Sequence, residues 1–218
     1  MAKPTLYVTR KLPQAVLDRA ANDYDARLNL EDIPPGPDEV IANAAGMDAI
    51  LCTSAERFDA EVIGRLPERV RIVATFSVGL EHIDLDAARE RGLVVANTPD
   101  VLTGATADIA MLLMLGAARR AGEGERMIRD NAWVGWNPTQ MLGTEFSGKR
   151  LGIVGMGRIG QAVAKRAIAF DMEIHYHNRS KLPAAQEHGA TFHADLDTLL
   201  PVADFLSLHC RRRRRPGI

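Results

Sequence analysis

Cysteine is nearly absent: the chain has two, Cys52 and Cys210. That excludes a disulfide framework, and no cysteine spacing suits a metal site. Each closes an apolar run that reads as a strand, so both are expected as buried core thiols. Long hydrophobic runs are missing too. None is long enough to span a bilayer, and the opening Met1-Ala2-Lys3-Pro4 lacks the apolar stretch of a signal peptide. Excess charge of one sign is also lacking. Twenty-seven basic and 28 acidic residues leave a net charge of −1, so no global field draws the chain to nucleic acid or an anionic membrane. The expectation is a cytoplasmic protein without a membrane or nucleic-acid partner. Residues 211–215, five arginines in a row, are the local exception.

What is present is ordinary globular material: 218 residues, 46% hydrophobic and 25% charged. That length suits one large domain or two small ones. Short apolar runs alternate with helical patterns. Strands are expected at 5–8, 26–30, 49–53, 70–76 and 94–96, with helices at 14–21, 59–66 and 85–91. Strand and helix in alternation argue for a parallel sheet covered on both faces. After Thr98-Pro99-Asp100 the pattern changes to a longer helix, about 104–120, apolar on nearly all sides. Such a helix is expected to be buried, between domains or subunits. A loop with Trp133, Gly135, Trp136, Asn137 and Pro138 follows. A second alternating series then has strands at 150–154, 173–178, 190–193 and 205–210. The fold class is therefore α/β, with a boundary near Pro99 between units 1–98 and 99–218.

The segment Leu151-Gly152-Ile153-Val154-Gly155-Met156-Gly157-Arg158-Ile159-Gly160 carries the chemistry. A lone G-x-G-x-x-G is weak evidence. One that leaves an apolar strand and opens an amphipathic helix is the dinucleotide-binding pattern. Gly155 permits the tight turn, Gly157 lets backbone approach a pyrophosphate, and Gly160 lets the helix press on the sheet. Arg158 and Ile159 begin the helix, whose free N–H groups face the phosphates. The next strand ends in His175-Tyr176-His177-Asn178-Arg179-Ser180-Lys181. An NAD site usually has Asp or Glu there for the ribose 2′-hydroxyl. Asn178, Arg179, Ser180 and Lys181 instead suit a 2′-phosphate, so NADP(H) is expected over NAD(H). His175 and His177 alternate on one strand, but no third metal ligand is in view. They are read as packing or surface residues, and no metal is expected.

Three segments together resemble the D-2-hydroxyacid dehydrogenase family. They are Phe76-Ser77-Val78-Gly79-Leu80-Glu81-His82-Ile83-Asp84, Ala96-Asn97-Thr98-Pro99-Asp100-Val101-Leu102-Thr103 with Thr106-Ala107-Asp108-Ile109-Ala110, and the glycine motif. The likeness is to the glyoxylate/hydroxypyruvate reductase branch, which typically uses NADPH. It implies a flavodoxin-like substrate domain followed by a Rossmann dinucleotide-binding domain, here incomplete, with the active site in the cleft between them. It implies reduction of a small 2-keto acid to the D-2-hydroxy acid, and a homodimer. By position, the Val78 and Gly79 amides hold the substrate carboxylate. Trp136 matches an aromatic that a partner subunit contributes near the substrate. Thr106, His209 and Cys210 match positions beside the cofactor. Local readings stay open at three of these: a strand-to-helix turn for Val78-Gly79, a helix-capping hydroxyl for Thr106 and an interface residue for Trp136.

Beyond Cys210 the sequence departs from the family, which usually continues Pro-x-Thr-Pro-Glu-Thr and later supplies a catalytic Arg, an acid and a His. No catalytic residue of that set is found in this sequence, and little turnover is expected of the isolated chain. A non-catalytic dinucleotide-binding, dimerising module, like the family's nucleotide-sensing corepressor relatives, is the rival reading. The arginine run reads either as a basic tail for nucleic acid or as a frameshift, which we prefer. Codons CCG-TCG-ACG-CCG encode Pro-Ser-Thr-Pro, and loss of one C turns them into a run of arginine codons. Resequencing the gene tests this: an intact reading frame with a genuine stop codon rejects the frameshift.

Overall fold

The structure is a computed structural model and describes residues 2–210, so the arginine run lies outside the described residues. The chain divides into two compact units, Met1–Val101 and Leu102–Ile218. In the first, β1 (Thr5–Val8), β2 (Asp25–Leu28), β3 (Ala49–Cys52), β4 (Ile72–Thr75) and β5 (Val94–Ala96) alternate with α1 (Gln14–Asp23), α2 (Pro37–Asn43), α3 (Ala60–Arg65) and α4 (Leu85–Glu90). All strand pairs are parallel, in the order β2-β1-β3-β4-β5. That is the flavodoxin-like order, which reverses between β1 and β3.

Strand periodicity sorts the side chains into two layers. Leu6 and Val8 pack with Leu12, Leu17 and Ala20 on one face. Tyr7, Ile50, Cys52 and Val73 pack with Val40, Val62, Ile63 and Ala88 on the other. Burial pushes the Cys52 thiol up to about 12, so it stays protonated and packs as an apolar residue. Where β1 and β3 end, the buried Glu56 ties them together. Its carboxylate accepts from Thr9 Oγ1 at 2.9 Å and from the Thr53 N–H at 2.7 Å.

The second unit opens with α5 (Thr103–Ala118) and α6 (Ala121–Arg129). Then come β6 (Arg150–Val154), α7 (Arg158–Ile168), β7 (Glu173–His177), α8 (Ala184–Glu187), β8 (Thr191–His193), α9 (Leu196–Leu199) and β9 (Phe205–Leu208). The sheet is parallel, in the order β8-β7-β6-β9. That is a Rossmann half, reversing between β6 and β9. Its core joins Leu151, Ile153, Ile174 and Tyr176 of the sheet to Val163, Ala164 and Ala167 of α7 and to Ala107 and Met111 of α5. Arg166 donates to Asp108 at 2.6 Å and ties α7 to α5. Among the described residues no helix is long and apolar enough to cross a membrane.

Several expectations need correction. Cys210 is exposed, not buried, because β9 ends at Leu208, two residues short of it. Within this one chain the long helix α5 is covered on one side, which leaves open the expected burial between subunits. Ala107, Met111 and Ala118 are covered, while Ile109, Leu112 and Leu113 are more than half exposed. Its covered side joins one core with Val163, Ala164 and Ala167 of α7. The sequence reading also missed α2 and α6. Helix α2 starts with Pro37 in its first turn and acidic Asp38 and Glu39 beside it, a start signal hidden in a proline-rich stretch. In α6, Gly122 and Gly124 lower the helical propensity, and the sharp break from α5 is made by Arg120 in the left-handed region.

The two sheets share a clamp at their reversal points. Asp48, just before β3, accepts from the N–H and the hydroxyl of Thr5, both at 2.8 Å. Asp204, just before β9, accepts from the Arg150 N–H at 2.9 Å and from its guanidinium. The guanidinium and that N–H hold the Asp204 carboxyl down to about 2. A carboxyl depressed on folding stabilises the fold above the ordinary carboxylate range, and the contribution is lost as pH falls toward its folded value. Asp204→Asn is therefore expected to lower the melting temperature at pH 7. The gap to wild type should close between about pH 4 and pH 2, as thermal melts across that range would show.

Candidate functional site

The glycine turn is built by close approach. Gly155 leaves β6 with φ 98°, a left-handed value that favours glycine. A Cβ there would lie 2.8 Å from the carbonyl oxygen of His209. Gly157 is the N-cap of α7, and among the described residues nothing beyond its own chain neighbours stands within 4 Å of where its Cβ would be. Arg158 and Ile159 form the first turn of α7. A Cβ on Gly160 would collide with the carbonyl oxygen of Gly155, so glycine lets α7 begin hard against the turn. A cradle open at Gly157 and closed at Gly155 and Gly160 fits a pyrophosphate at the helix N-terminus.

Side chains fix the turn from both sides. The Met156 N–H donates to Asn178 Oδ1 at 2.8 Å, and Gln161 Nε2 donates to the Met156 carbonyl at 3.3 Å. Asn178 thus stands where an acid is usual and braces the turn through its amide oxygen. Arg179, Ser180 and Lys181 follow it, all exposed. Lys181 Nζ lies 3.7 Å from Glu187 Oε2. Behind them the fully buried Tyr176 receives the Leu182 N–H at 3.0 Å and donates to Glu187 Oε1 at 2.6 Å. Burial and the bond to Glu187 push the Tyr176 phenol up. The segment after β7 is therefore pinned at Asn178 and again at Leu182, with the basic and hydroxyl side chains between the pins. The sequence reading passed over Tyr176 and Glu187. The signal was there: a tyrosine on the buried face of a strand needs a partner for its hydroxyl.

His209 runs on from β9 beside Gly155, its N–H donating to the Val154 carbonyl at 2.8 Å. Its Nε2 lies 2.8 Å from Ser207 Oγ, and burial pushes the imidazole down. Cys210 N also lies against Gly155. Thr106 sits in the first turn of α5, its N–H bonded to Leu102. The N-cap there is Leu102, so Thr106 is not the capping residue. Trp136 stands on the loop after α6, 80% exposed. His175 and His177 both meet His193, His175 Nδ1 at 3.0 Å from its Nε2 and His177 Nδ1 at 3.0 Å from its carbonyl. Among the described residues no group of three or more His, Cys, Asp or Glu could hold a metal ion.

Val78 and Gly79 belong to the first unit, on the loop after β4. The three carbonyls of this loop are each held by a protein donor. Ser77 O accepts from the Thr98 N–H at 3.0 Å, Val78 O from Asn97 Nδ2 at 2.9 Å, and Gly79 O from Ser77 Oγ at 2.8 Å. No peptide here is cis, so each N–H points opposite to the carbonyl of its own peptide plane. The N–H groups of Val78, Gly79 and Leu80 are thereby turned away from those donors as a consecutive set. The Glu81 carboxylate fills the space that a Cβ on Gly79 would need, so glycine lets the two stand together.

The chain's kinship agrees with this geometry. The NAD-binding domain of D-isomer specific 2-hydroxyacid dehydrogenases matches residues 111–215. A glycerate dehydrogenase of Hyphomicrobium methylovorum is 47% identical over 211 residues, 96% of this chain and 66% of its own length. A glyoxylate reductase of Thermococcus litoralis is 39% identical, over 95% of this chain and 63% of its own. Among solved structures, a D-isomer specific 2-hydroxyacid dehydrogenase from Polaromonas sp. JS6 66 matches with a TM-score of 0.91 at 44% identity, covering 97% of this chain and 66% of that one. An NADPH-dependent glyoxylate/hydroxypyruvate reductase from Sinorhizobium meliloti matches with a TM-score of 0.80 at 29% identity, covering 94% and 63%. The chain belongs to the D-2-hydroxyacid dehydrogenase family. It spans slightly less than two thirds of the length of the two curated relatives.

The pin at Leu182 can be tested directly. Tyr176→Phe removes one hydroxyl and leaves the Leu182 N–H and Glu187 without it. The expected cost is about 1–3 kcal/mol of stability, with faster amide hydrogen exchange at Leu182. Unchanged exchange there would mean that the hydroxyl does not hold the segment.

Proposed function

We propose that this chain supplies the cofactor-binding and carboxylate-binding parts of an enzyme that reduces small 2-keto acids, glyoxylate or hydroxypyruvate, with NADPH. The observation that carries this is the pairing of a braced glycine turn with Arg179 and Ser180, where an NAD site has an acid. The cofactor, when bound, supplies the hydride. In this reading the backbone of Gly155–Gly160 cradles the pyrophosphate and the start of α7 faces its charge. Arg179 and Ser180 take the 2′-phosphate, the guanidinium giving charge-assisted bonds. Asn178 keeps its amide nitrogen for the ribose, because its oxygen is engaged with Met156. Lys181 contributes charge from beside Glu187. Thr106, His209 and Cys210 line the cofactor. In the first unit, the amides of Val78 and Gly79 receive the substrate carboxylate.

Two further parts of the reading come from kinship. The names of the relatives support two substrates, glyoxylate, reduced to glycolate, and hydroxypyruvate, reduced to glycerate. Beside kinship, the exposed apolar face of α5, with Ile109, Leu112 and Leu113, supports a homodimer, which sedimentation equilibrium tests. Trp136 is assigned to the partner's substrate site in that dimer.

Titration calorimetry with NADPH and NADH on the same preparation is the deciding experiment. NADPH is expected to bind at least about tenfold more tightly, since a hydrogen bond to a charged group is worth about 1.5–3 kcal/mol. Arg179→Ala should erase most of that preference while leaving NADH binding in place. Equal affinities in the unaltered chain would overturn the NADPH assignment, and binding of neither would overturn the cofactor site. A glyoxylate assay with NADPH separates enzyme from binding module, because clear turnover excludes a module that only binds.

A further inference from the structure

Behind the Val78–Gly79 loop lies a chain of polar side chains whose proton positions can be deduced. Ser77 Oγ is 2.8 Å from the Gly79 carbonyl, 2.8 Å separates it from Thr75 Oγ1, and Thr75 Oγ1 is 3.0 Å from His82 Nε2. A carbonyl can only accept, so the single hydroxyl proton of Ser77 goes to Gly79. Ser77 must then accept from Thr75, which spends the one hydroxyl proton of Thr75. The remaining contact is satisfied only if His82 donates from Nε2. The direction along these contacts is therefore His82 Nε2–H to Thr75, Thr75 to Ser77 and Ser77 to the Gly79 oxygen, and the Cys52 thiol, which also meets Thr75, is left to donate to it. Thr75 is 2% exposed, and hydrogen bonds that run head to tail in such surroundings strengthen one another.

We propose that His82 is a positioning residue for the carboxylate-binding loop, acting through Thr75 and Ser77 as a directed relay that sets the plane of the Gly79–Leu80 peptide. Holding the Gly79 oxygen inward turns the Leu80 N–H outward, and adds it to those of Val78 and Gly79. The other two peptide planes have their own anchors in Thr98 and Asn97, so the relay governs the third donor alone. Burial pushes the His82 imidazole down, against the pull of Glu81 and Glu56, and so favours its neutral form. In that state the relay requires the tautomer with hydrogen on Nε2 and a lone pair on Nδ1. The inference rests on the reading that this loop takes a carboxylate.

The test uses the full chain, isotopically labelled, with oxalate as the probe. In the wild type, oxalate is expected to shift the amide resonances of Val78, Gly79 and Leu80, and His82 should show a protonated Nε2 beside an unprotonated Nδ1. Thr75→Val keeps the shape and cuts the relay. It is expected to weaken oxalate binding about fivefold, which is about 1 kcal/mol, with the Leu80 shift most reduced and NADPH affinity unchanged. Ser77→Ala removes only the last link and should act alike if Thr75→Val folds poorly. Wild-type binding that neither variant weakens, or His82 protonated on Nδ1 in place of Nε2, overturns the relay. Absence of any shift in the wild type overturns the carboxylate reading itself.

Discussion

Helix α7 starts in contact with the turn that feeds it. The Cα of Gly160 sits so near the carbonyl of Gly155 that any side chain at 160 would strike backbone. That contact fixes where the first N–H groups of α7 stand relative to the end of β6, and the cofactor cradle is nothing more than those N–H groups and that turn. Its consequences spread outward. With the turn pressed against β6, Met156 is carried to the end of β7, where Asn178 can reach its N–H. With β9 paired to β6, the carbonyl of His209 comes to lie over Gly155. Strand pairing thus brings a second and a fourth strand end to Gly155, and the missing Cβ of Gly160 lets α7 start at the same place.

The two units solve the same geometric problem in the same way. Each has a reversal of strand order, where crossover helices lie on opposite faces and diverge, leaving a crevice at the carboxyl ends. Each also clamps the opposite, amino end of the strand pair at the reversal with an aspartate, Asp48 to Thr5 and Asp204 to Arg150. Splitting two neighbouring strands by helices on opposite faces weakens the layer cover there, and a side chain that bonds the backbone of the first strand fixes the register where the layers help least. In the first unit Glu56 adds a buried tie at the carboxyl end of the same pair.

Legibility followed the range of the interaction. The glycine turn could be read from local spacing, because each glycine answers to backbone within a few residues or to the sheet beneath. The strands could be read for the same reason, although β4 and β9 came out shorter than their apolar runs, since pairing ends before hydrophobicity does. The pins were not legible. Asn178 to Met156 spans 22 positions and Asn97 to Val78 spans 19, and nothing local in an asparagine says which backbone it will find. Helix α5 failed in the other direction. Its composition announced burial on all sides, yet a single chain covers it with α7 and α6 on part of its surface and leaves Leu112 and Leu113 exposed. Composition records every surface a helix was selected to meet, whereas one chain supplies only some of them.

The loop after β4 shows how a site can be specified by groups that never touch a ligand. An amide is a weak and undirected donor in a flexible loop, because the peptide plane can rotate. Rotation stops when the carbonyl of that plane is held. Thr98, Asn97 and Ser77 hold three consecutive carbonyls, and planarity converts each of those inward bonds into an outward donor. The anion-binding character proposed for Val78 and Gly79 therefore resides in residues behind them, and His82 lies furthest along that line. Selection on such a site falls on hydroxyls, an imidazole and an amide whose side chains face inward. Their chemistry reads as ordinary core satisfaction until the plane of each peptide is followed through to its other side.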